Sequence, residues 1–172
     1  MKIKLNKNQI EMFSRQIVLK NIGIIGQEKI IKSKVLVIGM GGLGCPVAEF
    51  LVRAGVGTIG IVDSDSVDLS NIHRQSLFNI SDLKKSKVDV AKKKLKKINS
   101  NAKIDCYKTR FTKKNCNSIV KKFNFIVDGS DNFETKLLVN DTCKKEKKIL
   151  VTAAISKFDG HIFTFDFKKK NT

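Results

Sequence analysis

The sequence predicts an α/β protein whose Rossmann-like, doubly wound sheet is mostly parallel and carries helices on both faces. The first observation is the continuous apolar run Lys34-Val-Leu-Val-Ile38, of the kind that a strand covered on both sides requires. The second is the glycine turn Gly39-Met-Gly-Gly-Leu-Gly44 that follows it directly. The third is the alternation of short apolar runs with amphipathic stretches, which predicts strands joined by helical crossovers.

The N-terminal part of the chain is predicted to be helical. Apolar residues recur there at helical spacing and predict one helix over residues 8–19, which Gly23 and Gly26 are expected to end. We therefore divide the chain into an N-terminal helical segment, residues 1–32, and a nucleotide-binding core, residues 33–172. The 172 residues contain no linker rich in Pro, Gly or Ser, so we expect a single domain over 1–172.

A strand, a turn, a helix and a second strand follow one another from Lys34. Pro46, the only proline, falls in the first turn of the helix, where a missing N–H costs nothing, and the helix is expected to run to about Ala54. The run Thr58-Ile-Gly-Ile-Val62 then predicts a strand that ends on Asp63. This order is the opening of a doubly wound nucleotide-binding fold.

The remaining elements follow from the same periodicities. Apolar residues at spacings of three and four predict a helix over residues 83–98 with a lysine-rich outer face. Phe158, Phe163, Phe165 and Phe167 nearly alternate, which favours a core strand over a stacking platform. The other predicted elements are helices over residues 113–121 and 132–145 and strands over residues 103–108, 123–128, 149–153 and 161–167.

The formal net charge of +18 raises the question of a nucleic-acid partner. Among 34 basic residues only Arg15, Arg53, Arg74 and Arg110 are arginines, and the chain has one Tyr and no Trp. Specific readers of phosphates and bases favour arginine and stacking aromatics, so we interpret the charge as a solvated basic surface that suits an acidic protein partner. We expect no nucleic-acid binding.

Neither a membrane segment nor a metal-binding cysteine pair is visible in the sequence. Cys45, Cys106, Cys116 and Cys143 form no C-x-x-C pair, so we expect neither zinc nor a disulfide framework. The longest apolar stretch, residues 35–48, is short and interrupted by glycine and proline, so it cannot cross a bilayer as a helix. The first residues have no secretory hydrophobic core, and a cytoplasmic location is therefore expected.

The glycine turn is the first candidate binding site. Gly39, Gly41, Gly42 and Gly44 allow backbone N–H groups to approach a phosphate, and the following helix adds partial positive charge. The same pattern suits a dinucleotide, because Asp63 lies where an NAD enzyme has its ribose-binding acid. Close packing of a strand on a helix also requires glycines. The turn alone therefore leaves ATP, NAD and a purely structural role open.

The segment after the second strand separates these alternatives. Residues 63–75, Asp-Ser-Asp-Ser-Val-Asp-Leu-Ser-Asn-Ile-His-Arg-Gln, resemble the D-x-D-x-(V/I)-x-x-S-N-x-x-R-Q motif of the ThiF/MoeB/HesA family, bacterial relatives of ubiquitin-activating enzymes. The similarity extends over the whole chain and is strongest to the sulfur-carrier adenylyltransferases of molybdopterin and thiamine biosynthesis. The other motifs that match in order are Phe13-Ser-Arg15-Gln-Ile17, Gly39-Met-Gly-Gly-Leu-Gly44, Lys84-Lys-Ser-Lys87-Val88 and Val127-Asp-Gly-Ser-Asp131-Asn132.

The resemblance implies that ATP is the bound nucleotide. Asp63 would hold the ribose hydroxyls, Asn71 and Arg74 the phosphates, and Lys87 the triphosphate as a point charge. Gln75 would orient a neighbouring side chain. Taken singly, Asn71 also suits a local turn and Lys87 a solvated surface, because such residues are common in loops for local reasons.

The resemblance also implies a metal, a partner and a reaction. Asp131 would carry Mg²⁺, with Asp65 as a second candidate ligand, because carboxylates and phosphate oxygens suit this ion. The family adenylates the C-terminal glycine carboxylate of a ubiquitin-like sulfur carrier of the MoaD or ThiS type and releases pyrophosphate. Arg15 matches an arginine that enters the active site of the other subunit, which implies a homodimer.

The chain departs from the family pattern in its C-terminal part. Relatives often continue with two C-x-x-C pairs that bind zinc, and sometimes with a reactive cysteine, but none of the cysteines here occupies such a motif. Zinc and covalent catalysis are therefore not expected in this chain. We expect a fragment or a short form whose nucleotide-binding part is complete, since every candidate ATP residue lies at or before Asp131. The rival functions are an NAD-dependent oxidoreductase, a tRNA-modifying relative and a non-catalytic binding subunit.

Overall fold

The computed structural model describes residues 5–169, whose strands form one six-stranded sheet. The order in the sheet is β3-β2-β1-β4-β5-β6, and all neighbouring strands are parallel except the β5–β6 pair. The predicted mostly parallel, doubly wound sheet is confirmed. In chain order the strands are β1 (Lys34–Ile38), β2 (Thr58–Val62), β3 (Lys103–Tyr107), β4 (Phe125–Asp128), β5 (Ile149–Ser156) and β6 (Asp159–Asp166).

Helices cover both faces of this sheet. The helices within residues 5–169 are α1 (Lys7–Met12), α2 (Ser14–Ile17), α3 (Gly23–Lys32), α4 (Gly44–Arg53), α5 (Lys87–Ile98), α6 (Cys116–Val120) and α7 (Phe133–Lys145). Apolar side chains of α4 and α5 belong to one buried cluster, and those of α6 and α7 to another. None of these helices has both the length and the apolar content that a membrane crossing requires.

Strand β1 lies at the centre of the fold and separates the two clusters. Val35 and Val37 belong to the cluster with α4 and α5, whereas Leu36 and Ile38 belong to the cluster with α6 and α7. Successive side chains of a strand point to opposite faces, so a strand covered on both sides must be apolar throughout. This explains why the uninterrupted apolar run predicted the position of β1 correctly.

The winding direction of the sheet reverses between β1 and β4. The chain moves outward from β1 to β3, and it then returns to place β4 on the other side of β1. In open α/β sheets this reversal leaves a crevice at the carboxyl ends of the strands, and ligands bind there. The turns that follow Ile38, Val62 and Asp128 therefore meet at one edge of the sheet.

The N-terminal segment differs from the single helix predicted over residues 8–19. It forms the short helices α1 and α2, which meet at Phe13, and then a third helix, α3, which the glycines had argued against. Gly23 begins α3 with a φ of 58° instead of ending a helix, and Gly26 lies inside α3. Glycine is a common helix terminator, but tertiary packing overrides this preference here.

The N-terminal segment packs against the C-terminal end of α4. The ring of Phe13 is so close to Gly55 that an added Cβ there would lie 2.7 Å from it. Gln27 Nε2 donates a hydrogen bond to the Ala54 carbonyl at 3.0 Å, and Gln16 Nε2 approaches the same oxygen at 3.4 Å. The whole N-terminal segment is thereby anchored at one end of α4.

Several other predicted bounds shift by a few residues. Helix α4 begins at Gly44, with Pro46 in its first turn as predicted, and ends at Arg53, one residue before the expected Ala54. Helix α5 begins at Lys87 instead of residue 83, because Lys84 has a φ of 65°, which interrupts a helix. The structure shortens α6 to five residues, begins β4 at Phe125 and extends β5 to Ser156.

The last hairpin corrects the prediction of a buried phenylalanine strand. Phe163 is 54% exposed, and Phe158 is fully exposed at the turn. Of the four, only Phe165 and Phe167 pack partly against the buried cluster of α6 and α7. Strand β6 is the outermost strand of the sheet, and its described neighbours cover only its C-terminal part. Alternation of aromatic residues predicted a strand correctly but did not predict how much of it is covered.

Candidate functional site

The glycine turn between β1 and α4 uses its four glycines in two different ways. Gly39 has a φ of 87°, and an added Cβ would lie 2.9 Å from the Gly129 carbonyl oxygen. A Cβ at Gly44 would lie 1.8 Å from the Gly39 oxygen. A Cβ at Gly41 would meet no described atom within 4 Å, and one at Gly42 would touch only the aliphatic part of Arg74, at 3.4 Å. Gly39 and Gly44 are therefore required for packing, whereas Gly41 and Gly42 leave the turn accessible.

Asp63 is oriented toward this turn from the end of β2. Its Oδ2 accepts a hydrogen bond from the Met40 backbone N–H at 2.7 Å, and its Oδ1 accepts one from the Asp65 backbone N–H at 2.7 Å. The carboxylate is thus fixed beside the glycine turn by two backbone donors. This arrangement presents a carboxylate next to a turn that is suited to phosphate, at the position where both ATP and NAD enzymes have a ribose-binding acid.

Asn71, Arg74 and Gln75 form one hydrogen-bonded group on the same side. Asn71 Oδ1 accepts from Gln75 Nε2 at 2.7 Å and from Arg74 Nη2 at 3.1 Å, and Arg74 Nη1 donates to the Ser70 carbonyl at 3.1 Å. Gln75 is buried, at 2% exposure, and its amide holds the half-buried Asn71, which in turn holds the exposed Arg74. The Arg74 stem lies over Gly42, which brings the guanidinium group to the glycine turn.

Lys87 and Asp65 are brought together by the start of α5. Lys87 Nζ lies 3.1 Å from Asp65 Oδ2, and the Lys87 backbone N–H donates to the Asp65 carbonyl at 3.0 Å. The Lys87 side chain is buried, which contradicts the alternative that it is one more solvated lysine. Since the Asp65 backbone N–H also bonds to Asp63, Lys87 is linked to the glycine turn through two aspartates.

Asp131 lies in the turn after β4, which packs directly on the glycine turn. The Gly129 backbone N–H donates to the Ile38 carbonyl at 2.9 Å, and Asp131 follows two residues later as an exposed carboxylate. Asn132 caps α7 by accepting a hydrogen bond from the Thr135 N–H at 2.9 Å, which fixes where the turn ends.

The residues present fit Mg²⁺ that is shared between one carboxylate and nucleotide phosphates better than Mg²⁺ that is held by a cluster of protein side chains. Within residues 5–169 no three acidic, histidine or cysteine side chains gather as a metal cluster. Mg²⁺ is commonly held by one or two carboxylates together with phosphate oxygens, so Asp131 alone fits this ion when a nucleotide is bound. Asp65 fits less well, because its carboxylate is already paired with Lys87.

Arg15 is the one predicted site residue that the structure leaves apart from the others. It belongs to α2, which is anchored at Ala54 beyond the C-terminal end of α4, whereas the glycine turn precedes the N-terminal end. Ten helical residues separate the two ends of α4, or about 15 Å at 1.5 Å per residue. The Arg15 side chain is exposed at this distance from the turn.

Cys45 and Cys143 are buried thiols, and Cys106 is partly buried. Burial raises the pKa of Cys45 to about 12, against smaller lowering effects from the Leu77 N–H and the Lys87 charge. Burial likewise raises the pKa of Cys143 to about 12 and also raises that of Cys106. These side chains are therefore protonated near neutral pH, which makes them poor nucleophiles.

Sequence reasoning missed Asp128, which organises the turn that carries Asp131. Its Oδ1 accepts from the Ser130 N–H at 3.0 Å and from the Ser130 hydroxyl, and its Oδ2 accepts from Lys136 Nζ at 3.0 Å and Thr152 Oγ1 at 2.7 Å. The sequence does contain an indication of this role, because a charged residue at the end of a buried parallel strand needs a partner for its charge.

Comparison with known proteins agrees with this architecture. Residues 13–172 match the sequence profile of the ThiF family. The chain is 42% identical over 165 residues to the adenylyltransferase and sulfurtransferase MOCS3 of Culex quinquefasciatus, covering 96% of this chain and 38% of that protein. It is 41% identical over 159 residues to the sulfur carrier protein adenylyltransferase of Thermus thermophilus, covering 92% of this chain and 59% of that protein. The chain thus spans less than two thirds of the length of these relatives.

Solved structures share the fold at lower identity. A structure of PaaA superposes with a TM-score of 0.87 and 24% identity, over 99% of this chain and 55% of that one. The E. coli tRNA N6-threonylcarbamoyladenosine dehydratase TcdA, in complex with ATP, superposes with a TM-score of 0.82 and 23% identity, over 87% of this chain and 61% of that one. The profile match covers all the motifs from Phe13 to the end of the sheet, and the chain belongs to the ThiF family.

Proposed function

We propose that residues 1–172 act as one ATP-binding adenylation domain, which transfers AMP to the C-terminal glycine carboxylate of a ubiquitin-like sulfur carrier and releases pyrophosphate. The observation that carries the proposal is that Asp63 and the Arg74 stem contact the glycine turn at the carboxyl edge of the sheet, and that Lys87 is linked to Asp63 through Asp65. The two relatives described above, each more than 40% identical to this chain, are adenylyltransferases by name, and the Thermus name gives a sulfur carrier as the substrate.

The reaction places definite demands on these side chains. A carboxylate oxygen of the carrier attacks the α-phosphorus of ATP, the bond from this phosphorus to the bridging oxygen breaks, and pyrophosphate leaves. The glycine backbone at Gly41 and Gly42 and the N-terminus of α4 suit the phosphates, while Asp63 suits the ribose hydroxyls. Arg74 and Lys87 supply positive charge for the leaving group. Mg²⁺, held by Asp131 and phosphate oxygens, would neutralise part of the remaining charge.

The active enzyme is proposed to be a homodimer in which Arg15 acts on the nucleotide of the partner subunit. The support is the position of Arg15: it is exposed in α2, which is anchored beyond the C-terminal end of α4, and α4 extends about 15 Å from there to the glycine turn of the same chain. An arginine side chain reaches roughly half that distance, on the order of 7 Å from its Cα. A second copy provides the simplest way for a guanidinium group at this position to contact a phosphate.

The carrier is proposed to be of the molybdopterin or the thiamine type, acting in the cytoplasm. Its recognition is consistent with the +18 net charge, which attracts an acidic partner through long-range electrostatics. The same charge also suits a polyanion, and the fold shared with TcdA at 23% identity keeps a tRNA-modifying function as the second candidate. We favour the carrier because the relatives above 40% identity are adenylyltransferases by name.

An ATP–pyrophosphate exchange assay tests the proposal. Labelled pyrophosphate should enter ATP only when Mg²⁺ and a purified sulfur carrier are both present, and both carrier types should be tried. A carrier without its final glycine is the matched control, since it keeps the folded surface but displaces the reacting carboxylate. Exchange that is indifferent to the carrier would contradict the proposal, as would protection from heat by NAD but not by ATP.

The same preparation distinguishes the other candidates. Binding of tRNA that weakens steeply with salt, without carrier-dependent exchange, would favour the tRNA-modifying function, because each phosphate contact releases a counterion. Binding of ATP and carrier with no exchange would indicate a non-catalytic binding subunit. Each outcome is a direct measurement on the purified chain and does not depend on the others.

A further inference from the structure

The Asp128 carboxylate is the most heavily hydrogen-bonded side chain at the carboxyl edge of the sheet. It is 1% exposed and accepts hydrogen bonds from three side chains and one backbone N–H. A charged group that is fully removed from water must be compensated by a cation and by hydrogen bonds. Lys136 supplies the cation, and its side chain is only 18% exposed.

The donors to Asp128 come from three different parts of the fold. Thr152 is its directly paired neighbour on β5, Lys136 comes from the first turns of α7, and Ser130 belongs to the turn between β4 and α7. Lys136 also donates to the Ala153 carbonyl at 2.7 Å. Asp128 thus ties the turn to the adjacent strand and to the helix that follows it.

This turn is pressed against the glycine turn on its other side. A Cβ at Gly129 would lie 3.1 Å from the Gly44 backbone nitrogen and 3.4 Å from the Ile38 carbonyl oxygen. A displacement of the turn would therefore change both the position of Asp131 and the space beside Gly39. Closely packed backbones have no room to absorb such a displacement locally.

We propose that Asp128 is a positioning residue for nucleotide binding: held by Lys136 and Thr152, it fixes the turn of residues 129–131 so that Asp131 faces the phosphates beside the glycine turn. This inference rests on the proposed function. The bond from the Ser130 N–H, one residue before Asp131, ties the carboxylate to the backbone of this turn as well as to its counter-charge. Asp128 itself contacts no substrate in this proposal.

In Asp128→Asn we expect a selective loss of the increase in ATP affinity that Mg²⁺ provides. In Asp128→Asn the amide presents N–H groups where Oδ2 now accepts, so the bond and the counter-charge of Lys136 are lost, whereas the Thr152 hydroxyl can turn to accept. Residues that orient a metal ligand typically contribute about 10- to 100-fold to metal affinity or activity. The ratio of ATP affinity with Mg²⁺ to that without it should fall by about tenfold or more. ATP affinity in the absence of Mg²⁺ should change little.

The experiment measures ATP dissociation constants by calorimetry, with Mg²⁺ and with EDTA, together with melting temperatures. Asp82→Asn is the matched control, because Asp82 is another poorly exposed carboxylate that pairs with a lysine, Lys94, and accepts from a backbone N–H. It lies outside the proposed site. This control is expected to lower the melting temperature while leaving the effect of Mg²⁺ unchanged.

A double variant separates positioning from stability. Asp128→Asn leaves the buried Lys136 ammonium without its counter-charge, and adding Lys136→Met removes that charge. The melting temperature of the double variant should therefore return most of the way to that of the wild type. The increase in ATP affinity caused by Mg²⁺ should not return. Recovery of both quantities together, or an unchanged Mg²⁺ effect in Asp128→Asn, would overturn the positioning role. A wild-type chain that binds no ATP, or gains nothing from Mg²⁺, would overturn the proposed function as well.

Discussion

Lys87 Nζ lies 3.1 Å from Asp65 Oδ2, in an ion pair that joins a side chain of 7% exposure to a carboxylate of 62% exposure. The lysine is therefore held in place by a partner that remains accessible to solvent. The family resemblance implied that Lys87 holds the triphosphate and that Asp65 is a second candidate ligand for Mg²⁺, whereas the pairing gives Asp65 a different task. Lys87 remains the candidate phosphate-binding cation, and Asp65 orients it.

Variants of these two residues should behave differently in the exchange assay. We expect Lys87→Met to lower carrier-dependent exchange by about 100-fold or more, because a buried cation aimed at the leaving group is lost. Asp65→Asn should lower it by about tenfold or less and leave the Mg²⁺ concentration for half-maximal exchange unchanged. The check is a Mg²⁺ titration of both variants. A raised Mg²⁺ requirement in Asp65→Asn would show that this carboxylate binds the metal after all.

Substitutions in the glycine turn should separate effects on folding from effects on ATP binding. Gly44→Ala should destabilise the protein by about 3 kcal/mol or prevent folding, since its Cβ would lie 1.8 Å from the Gly39 oxygen. Gly41→Ala should fold normally, because nothing described lies within 4 Å of its Cβ, but should weaken ATP binding by filling the approach to the turn. Thermal melting and ATP titration measure the two effects. Normal ATP affinity in Gly41→Ala would argue against phosphate at this turn.

The central part of the fold could be predicted because one local pattern allows few alternatives. A continuous run of apolar residues must be covered on both faces, and β1, which is followed by glycines, and β2, which is followed by Asp63, accordingly have the predicted bounds. Asn132 before an amphipathic stretch likewise marked the start of α7, which it caps. In these elements local preference and tertiary packing agree.

The parts that could not be predicted depend on contacts between distant residues. Helix α3 forms despite Gly23 because Gln27 bonds to Ala54, 27 positions away in sequence. The exposure of Phe163 depends on which elements cover β6, and alternation carries no information about coverage. Asp128 looked like one of two acids in a motif, and its importance became visible only with Lys136 and Thr152 beside it.

The buried thiols predict that catalysis does not use Cys45 or Cys143. Because burial raises the pKa of each thiol to about 12, both are protonated near neutral pH. Iodoacetamide should therefore leave both cysteines unmodified in the native protein and modify them in guanidinium chloride, as read by peptide mass spectrometry. Cys45→Ala should retain exchange. Rapid native labelling of either residue, at a rate typical of exposed thiols, would contradict their burial.

The proposed homodimer makes a prediction about mixed variants. Arg15→Ala should lose pyrophosphate exchange because it removes the guanidinium group that acts in the partner subunit. Arg74→Ala should lose it because it removes the guanidinium group beside the glycine turn of its own chain. When the two are unfolded, mixed in equal amounts and refolded, half of the dimers are hybrids, and each hybrid has one site with both arginines. About a quarter of all sites should therefore regain activity.

The refolded single variants are the controls for this experiment, since each alone can form only defective sites. Sedimentation of the mixture shows whether dimers have formed, so a failure to associate is distinguished from a failure to complement. Dimers that contain both variants but remain inactive would mean that Arg15 does not act across the interface. In that case its exposed position at the end of α2 would require a different explanation, such as contact with the carrier.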